Sequence, residues 1–126
     1  MYINHVAILV NDLEKMKEFY QTFFDVEVSE LYHNKKTQFR SYFLSFKTGA
    51  RIELTNKPFT ASRNFDDTGY THLAISVGTK EDVDRFSEKF VSEGYPLLSG
   101  PRTTGDGYYE AVVQDPEGNL IELTTE

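Results

Sequence analysis

The sequence predicts an α+β protein of two tandem β-α-β-β-β modules whose mixed sheets form an open, barrel-like cleft. Three observations carry that prediction. The segment His5-Val6-Ala7-Ile8-Leu9-Val10 recurs 67 residues later as His72-Leu73-Ala74-Ile75-Ser76-Val77. The segment Gly49-Ala50-Arg51-Ile52-Glu53-Leu54-Thr55 recurs as Gly118-Asn119-Leu120-Ile121-Glu122-Leu123-Thr124, its glutamates 69 residues apart. Between these segments each copy runs through the same succession of strand, helix and strand patterns, as a duplicated supersecondary unit does.

In the first copy, residues 3–10 are apolar and β-branched and predict a mostly buried strand. Asn11 or Asp12 can cap a following helix, and Glu14 stands three residues after Asn11 in the capping-box position. Leu13, Met16, Tyr20, Phe23 and Phe24 recur at helical spacing and give that helix one apolar face. Strands are expected at about 26–31, 39–46 and 51–55, with Lys47-Thr48-Gly49 turning the last pair into a hairpin.

The second copy follows the same order. Residues 70–77 predict the strand, and Thr79-Lys80-Glu81-Asp82 has the form of a capping box. Val83, Phe86, Phe90 and Val91 supply the buried helix face, and Gly94 ends the helix. Strands at 95–99, 108–114 and 119–124 complete the module, the last two joined by Asp115-Pro116-Glu117-Gly118. The chain is thus expected to be a single domain over 1–126, with modules 1–55 and 70–126. Segment 56–69, which carries Pro58, Ser62, Asp66, Asp67 and Gly69, reads as the linker. One helix protects only one face of a four-stranded sheet. Two such halves with facing open surfaces enclose a cleft lined by strand residues.

Composition narrows the function. A chain of 126 residues with 39% hydrophobic and 14% aromatic content buries a core without disulfide or structural metal. Cysteine is absent, which removes thiolate nucleophiles and Cys-type zinc sites and fits a reducing, cytoplasmic setting. A net charge of −7 repels phosphate backbones, so no nucleic-acid partner is expected. No apolar run reaches the ~20 residues of a membrane span, and residues 1–5 lack the pattern of a secretory signal.

Chemistry concentrates on the repeated positions. Taken singly, a histidine in a strand is more often a packing residue than a ligand, and a strand glutamate usually points to water. The recurrence of both types at matching places favours ligation by His5, Glu53, His72 and Glu122. Two imidazoles and two carboxylates form an N/O set that suits Zn, Ni, Co, Mn or Fe(II) and leaves positions for water or two adjacent substrate oxygens. His33 reads as an exposed turn residue. Tyr42, Phe43 and Phe46 either line the cleft or belong to the core, and 103–107 reads as a flexible loop able to close over a ligand.

With the paired modules, the opening His5-Val6-Ala7-Ile8 and the string Asp115-Pro116-Glu117-Gly118-Asn119-Leu120-Ile121-Glu122-Leu123, the chain resembles the vicinal oxygen chelate superfamily over its whole length. That superfamily includes glyoxalase I, fosfomycin-resistance proteins, methylmalonyl-CoA epimerase, extradiol dioxygenases and bleomycin-resistance proteins. The four repeated residues fall where glyoxalase I-like members carry His, Glu, His and Glu. The epimerase pattern places Gln at the position of Glu53, and fosfomycin-resistance proteins use three protein ligands.

The resemblance implies a metal-dependent lyase or isomerase acting on a small molecule with adjacent oxygens, through proton transfer and enediolate stabilisation. It assigns the proton-carrying role first to Glu122, with Glu53 as its partner, and implies a homodimer. One departure concerns the substrate. Glyoxalase I relatives often carry an arginine shortly after the first histidine, where this chain has Leu9, or Val10 if the alignment shifts by one. Arg40 and Arg51 are the alternative substrate contacts, with Tyr42 beside them; a surface residue and a cross-strand charge partner are the plainer readings of the two arginines. Two other readings stay open: a metal-free, ligand-sequestering protein of the bleomycin-resistance type, and another metal enzyme such as an extradiol dioxygenase or fosfomycin transferase.

Overall fold

The computed structural model describes residues 1–61, 64 and 66–126, and the chain divides into two compact units, Met1–Arg63 and Asn64–Glu126. The boundary falls within the segment read as a linker. Asn56, placed in that linker, is instead the last residue of a strand, and Ser62 lies outside the described residues.

In the first unit, β1 (His5–Leu9) pairs in parallel with β5 (Arg51–Asn56), which pairs antiparallel with β4 (Arg40–Ser45). Of the strand expected at 26–31 only β2 (Glu27–Val28) forms, and a further short strand, β3 (Tyr32–His33), follows where a turn was expected; both are antiparallel to β4. Ser29 is the reason for the break. Its N–H donates to the Phe43 carbonyl, but the Phe43 N–H donates to the Ser29 hydroxyl, 2.9 Å away. A side-chain acceptor thus replaces the main-chain one and the ladder is interrupted.

Helix α1 (Leu13–Phe23) buries Leu13, Met16, Phe19, Tyr20 and Phe23. It covers the sheet face that carries Tyr42, Leu44, Ile52 and Leu54, all buried. Removing side chains of this size from water is worth about 1.5–3 kcal/mol each before chain entropy is counted. Asp12 is the N-cap and accepts from the Lys15 N–H at 3.0 Å. The Asn11–Glu14 capping box does not form: Glu14 turns away to pair with Lys17 and to accept the Tyr42 hydroxyl at 2.8 Å. Those two hydrogen bonds, Lys17 first, hold the Glu14 carboxyl below its usual range.

The second unit repeats the plan. Strand β6 (His72–Gly78) is parallel to β9 (Leu120–Thr125), and the order continues antiparallel through β8 (Tyr109–Gln114) to β7 (Leu97–Thr103). Helix α2 (Lys80–Ser92) has the predicted capping box between Thr79 and Asp82. At its other end Gly94 adopts φ +84°, and the Tyr95 N–H returns to the Phe90 carbonyl at 2.9 Å. This is a Schellman closure, and the Phe90 and Tyr95 rings pack beside it.

The buried face of α2 differs from its prediction. Val83, Ser87 and Phe90 are buried, Phe86 is only partly covered, and Val91 is about half exposed. Ser87 enters the core because its hydroxyl donates to the Val83 carbonyl at 2.7 Å and leaves no open polar group. Opposite the helix lie Ala111, Val113, Ile121 and Leu123, all essentially inaccessible. The loop expected at 103–107 is a closed hairpin end: β7 reaches Thr103, and the Thr104 N–H donates to the Tyr108 carbonyl at 2.8 Å.

Both sheets are mixed and each carries its helix on one face only, so the class is α+β as predicted. Period-two alternation sends Val6, Ile8, Ile52 and Leu54 toward α1, and His5, Ala7, Leu9 and Glu53 to the uncovered face. The second unit does the same with His72, Ala74, Ser76 and Glu122.

Candidate metal centre

The parallel ladder sets the geometry of each His–Glu pair. In the first unit His5 lies opposite Arg51 and Ala7 opposite Glu53; in the second His72 lies opposite Leu120 and Ala74 opposite Glu122. The register is the same in both copies. Each histidine therefore meets its glutamate diagonally across the strands, beside an alanine too small to separate them.

The distances suit shared ligation. His5 Nε2 is 3.7 Å from Glu53 Oε2, and His72 Nε2 is 3.5 Å from Glu122 Oε2. Both separations exceed a normal hydrogen bond, so neither pair consumes its own donor atoms. Two ligands each ~2.1 Å from one ion in tetrahedral geometry stand about 3.4 Å apart. The donor chemistry and the spacing of each pair therefore fit two donors to a divalent cation, half of a four-ligand set. The imidazoles are about 40% exposed and the carboxylates under 20%, so the atoms are reachable while the glutamates remain partly dehydrated. Neither unit by itself gathers three or more His, Cys, Asp or Glu groups among the described residues.

The three residues read as substrate contacts separate cleanly. Arg51 shares the open face with Glu53; its Nη2 donates to Asn4 Oδ1 at 2.7 Å and its guanidinium lies 4.3 Å over the Phe43 ring. Arg40 and Tyr42 alternate onto the helix-covered face. Arg40 donates to Asn56 Oδ1 at 2.8 Å, and Tyr42 is buried with its hydroxyl on Glu14. Leu9 is on the open face with His5 and is about half exposed. His33 lies in β3, its Nε2 3.0 Å from Gln38 Oε1.

Neighbouring residues on these faces complete the surroundings of the two pairs. Asn4 Oδ1 lies 2.9 Å from His5 Nδ1, and the Phe43 ring meets the His5 ring edge-to-face at 5.3 Å. In the second unit Glu110 lies across from Thr124, next along the open face from the Val112–Glu122 pair. Burial, then the charge of Glu122 and a hydrogen bond with it, push the Glu110 carboxyl above its usual range, while Arg102 opposes them. Strand alternation in 108–114, which sets Glu110 apart from Ala111 and Val113, carried the signal for Glu110 and for Arg102 opposite it. A polar residue precedes each repeated histidine, Asn4 and Thr71, and marks the other neighbours.

The closing string also has a structural role. Asp115 is buried; its carboxylate accepts from the N–H groups of Glu117 and Asn119 and from the Asn119 side chain, at 2.8–2.9 Å. The turn so held delivers β9, with Glu122, antiparallel to β8.

Comparison with known proteins agrees with this architecture. The model of the Glyoxalase/Bleomycin resistance protein/Dioxygenase superfamily matches residues 2–123, and the chain belongs to that superfamily. An uncharacterized protein of Bacillus subtilis, YqjT, is 30% identical over 96% of both chains. The lactoylglutathione lyase of Haemophilus influenzae is 29% identical over 98% of this chain and 91% of its own length. Among solved structures, the trypanothione-dependent glyoxalase I of Leishmania major superposes with a TM-score of 0.81 at 25% identity, over 100% of this chain and 87% of that one. Among the described residues no helix is long and apolar enough to cross a membrane.

Proposed function

We propose that this chain is a metal-dependent lyase or isomerase of the glyoxalase I type, acting on a small substrate with adjacent oxygens. The observation that carries the proposal is the His–Glu pair repeated in the same register, with 3.7 and 3.5 Å between donor atoms. Similarity to a lactoylglutathione lyase supports the reaction class.

In this reading His5, Glu53, His72 and Glu122 hold one divalent ion of the Zn, Ni, Co, Mn or Fe type. Each unit offers two donors, so both pairs are needed, from one chain or from two copies of it. The active form in this reading is a cytoplasmic homodimer. When bound, such an ion supplies Lewis acidity toward two adjacent substrate oxygens and stabilises the charge that develops on them. Glu122 takes the proton from the hydroxyl-bearing carbon beside the substrate carbonyl and returns it to the former carbonyl carbon, while the hydroxyl proton passes to the former carbonyl oxygen, so the reaction needs no outside oxidant or reductant. Glu53 is its counterpart from the other unit. Leu9 offers no cation to a glutathione carboxylate, which favours a non-glutathione substrate over lactoylglutathione, and Arg51, opposite His5 in the ladder, is the cation left to meet such a substrate. Arg40 and Tyr42, on the helix-covered face, take no part.

The test is turnover of small α-hydroxycarbonyl compounds, with the thioester lactoylglutathione as the larger, glutathione-bearing comparison, before and after chelation and after return of each metal. Activity lost on chelation and restored by a divalent ion is expected. Tight binding of such compounds without turnover, unchanged by chelation, would instead mark a sequestering protein.

A further inference from the structure

We infer that Asn4, clamped by Arg51, is a positioning residue that fixes which ring nitrogen of His5 carries the hydrogen, leaving Nε2 free on the side of Glu53. Arginine has donors only, so the Asn4 atom 2.7 Å from Arg51 Nη2 is its carbonyl oxygen. That same oxygen is 2.9 Å from His5 Nδ1. An oxygen already oriented by a guanidinium can only accept, so Nδ1 of the neutral ring is the N–H. The lone pair then lies on Nε2, the atom 3.7 Å from Glu53 Oε2.

The clamp is closed on several sides. The Arg51 main-chain N–H donates to the Asn4 carbonyl at 3.1 Å, so Arg51 grips Asn4 through backbone and side chain together. The guanidinium rests on the Phe43 ring, and that ring meets His5 at an interplanar angle of 87°. Arg51, Asn4, His5 and Phe43 thus form a ring of contacts in which each neighbour limits the rotation of the next.

The second copy lacks this device, although the ladder register at its histidine and glutamate is the same. Thr71 Oγ1 lies 3.2 Å from His72 Nδ1, and a hydroxyl donates or accepts with equal ease. The residue opposite His72 in the ladder is Leu120, which has no polar group to orient the hydroxyl. One histidine is set in advance and the other is free to choose. A hydrogen bond on the non-ligating nitrogen orients a metal-binding imidazole and commonly changes affinity by 10–100-fold. The effect on metal affinity rests on the proposed role of His5 as a ligand; the effect on the ring hydrogen does not.

The experiment is long-range ¹H–¹⁵N correlation on the metal-free, ¹⁵N-labelled full chain at a pH where the imidazoles are neutral, followed by Zn²⁺ titration against a chromophoric chelator. In the unaltered chain His5 should show the Nδ1–H form and His72 a mixture. Asn4→Ala and Arg51→Met should each shift His5 toward Nε2–H, the form free histidine side chains prefer. Asn4→Asp, which keeps an acceptor oxygen, should retain the original pattern. Zn²⁺ affinity should fall roughly 10–100-fold in Asn4→Ala and recover in Asn4→Asp. A His5 ring in the Nε2–H form in the unaltered chain, or unchanged by Asn4→Ala, overturns the inference. His5→Ala separates the two ideas. If it abolishes Zn²⁺ binding while Asn4→Ala leaves affinity intact, control of metal affinity by Asn4 is wrong and ligation by His5 stands. If His5→Ala binds Zn²⁺ like the unaltered chain, ligation is wrong, and the ring pattern still decides the clamp.

Discussion

His72 Nε2 stands 3.5 Å from Glu122 Oε2, too far for a good hydrogen bond and near enough for both atoms to reach one ion. His5 and Glu53 repeat the relationship at 3.7 Å. In each case the parallel ladder puts an alanine, Ala74 or Ala7, directly opposite the glutamate. Two strands with one register therefore produce the same pair twice. A chance pairing of a surface histidine with a surface carboxylate has no reason to keep that register.

Glu122→Gln tests the proposed chemistry. The amide keeps a ligating oxygen and loses the base, so turnover of an identified substrate should fall by roughly 100-fold or more, while metal content falls less. Intact turnover in this variant would pass the proton-transfer role to Glu53 or to a water in the site.

Asp115 gives a pH signature outside the candidate centre. Burial is the largest influence on its carboxyl and raises it above the ordinary 3.8, against the hydrogen bonds from Asn119 and Glu117. The folded state then keeps this proton to higher pH than the unfolded chain does. Its contribution to stability is full below the ordinary value and is lost as pH rises through the raised one. Urea unfolding across pH 3–7 should show the unaltered chain losing stability relative to Asp115→Asn as pH climbs upward from 3.8. A relative gain over that interval would mean the three hydrogen bonds outweigh burial.

Gly100 tests packing between β7 and β8. It has φ +78°, and a Cβ there would lie 2.4 Å from the Glu110 carbonyl oxygen and 3.0 Å from Ala111 Cα, both backbone atoms. Gly94 has a similar φ of +84° and open space around it. Both alanine variants bear the left-handed backbone cost of about 1–2 kcal/mol; only Gly100→Ala adds the clash, for a total of roughly 3 kcal/mol or more. Equal denaturant midpoints for the two variants would contradict this.

Much of this was legible because the sequence states it twice. The module order, both His–Glu pairs and the Thr79 capping box follow from repeated apolar alternation and local cap chemistry, which need no knowledge of what packs where. The face on which a strand residue ends up does need it. Alternation alone puts Arg51 on the face of Glu53, but only the pairing of β4 with β5 shows that Arg40 and Tyr42 lie on the opposite face, under α1. Ser29 and Ser87 escaped for a related reason. Each satisfies a backbone group with its own hydroxyl, one breaking a ladder and the other entering a core, and hydrophobic periodicity does not register such bonds. The role of Asn4 beside His5 is not visible in the sequence because it depends on Arg51, 47 positions away.

The central claim is that the four repeated residues serve one metal site, and metal content tests it most directly. Elemental analysis of the purified chain should be run beside His5→Ala, Glu53→Ala, His72→Ala and Glu122→Ala, each checked for folding by circular dichroism. One divalent ion per set of four residues is predicted for the unaltered chain, with a strong loss in every variant, since each removes one bond from a four-ligand shell. Stoichiometric metal retained in all four variants, or lost only when one of the two pairs is broken, would contradict the shared site.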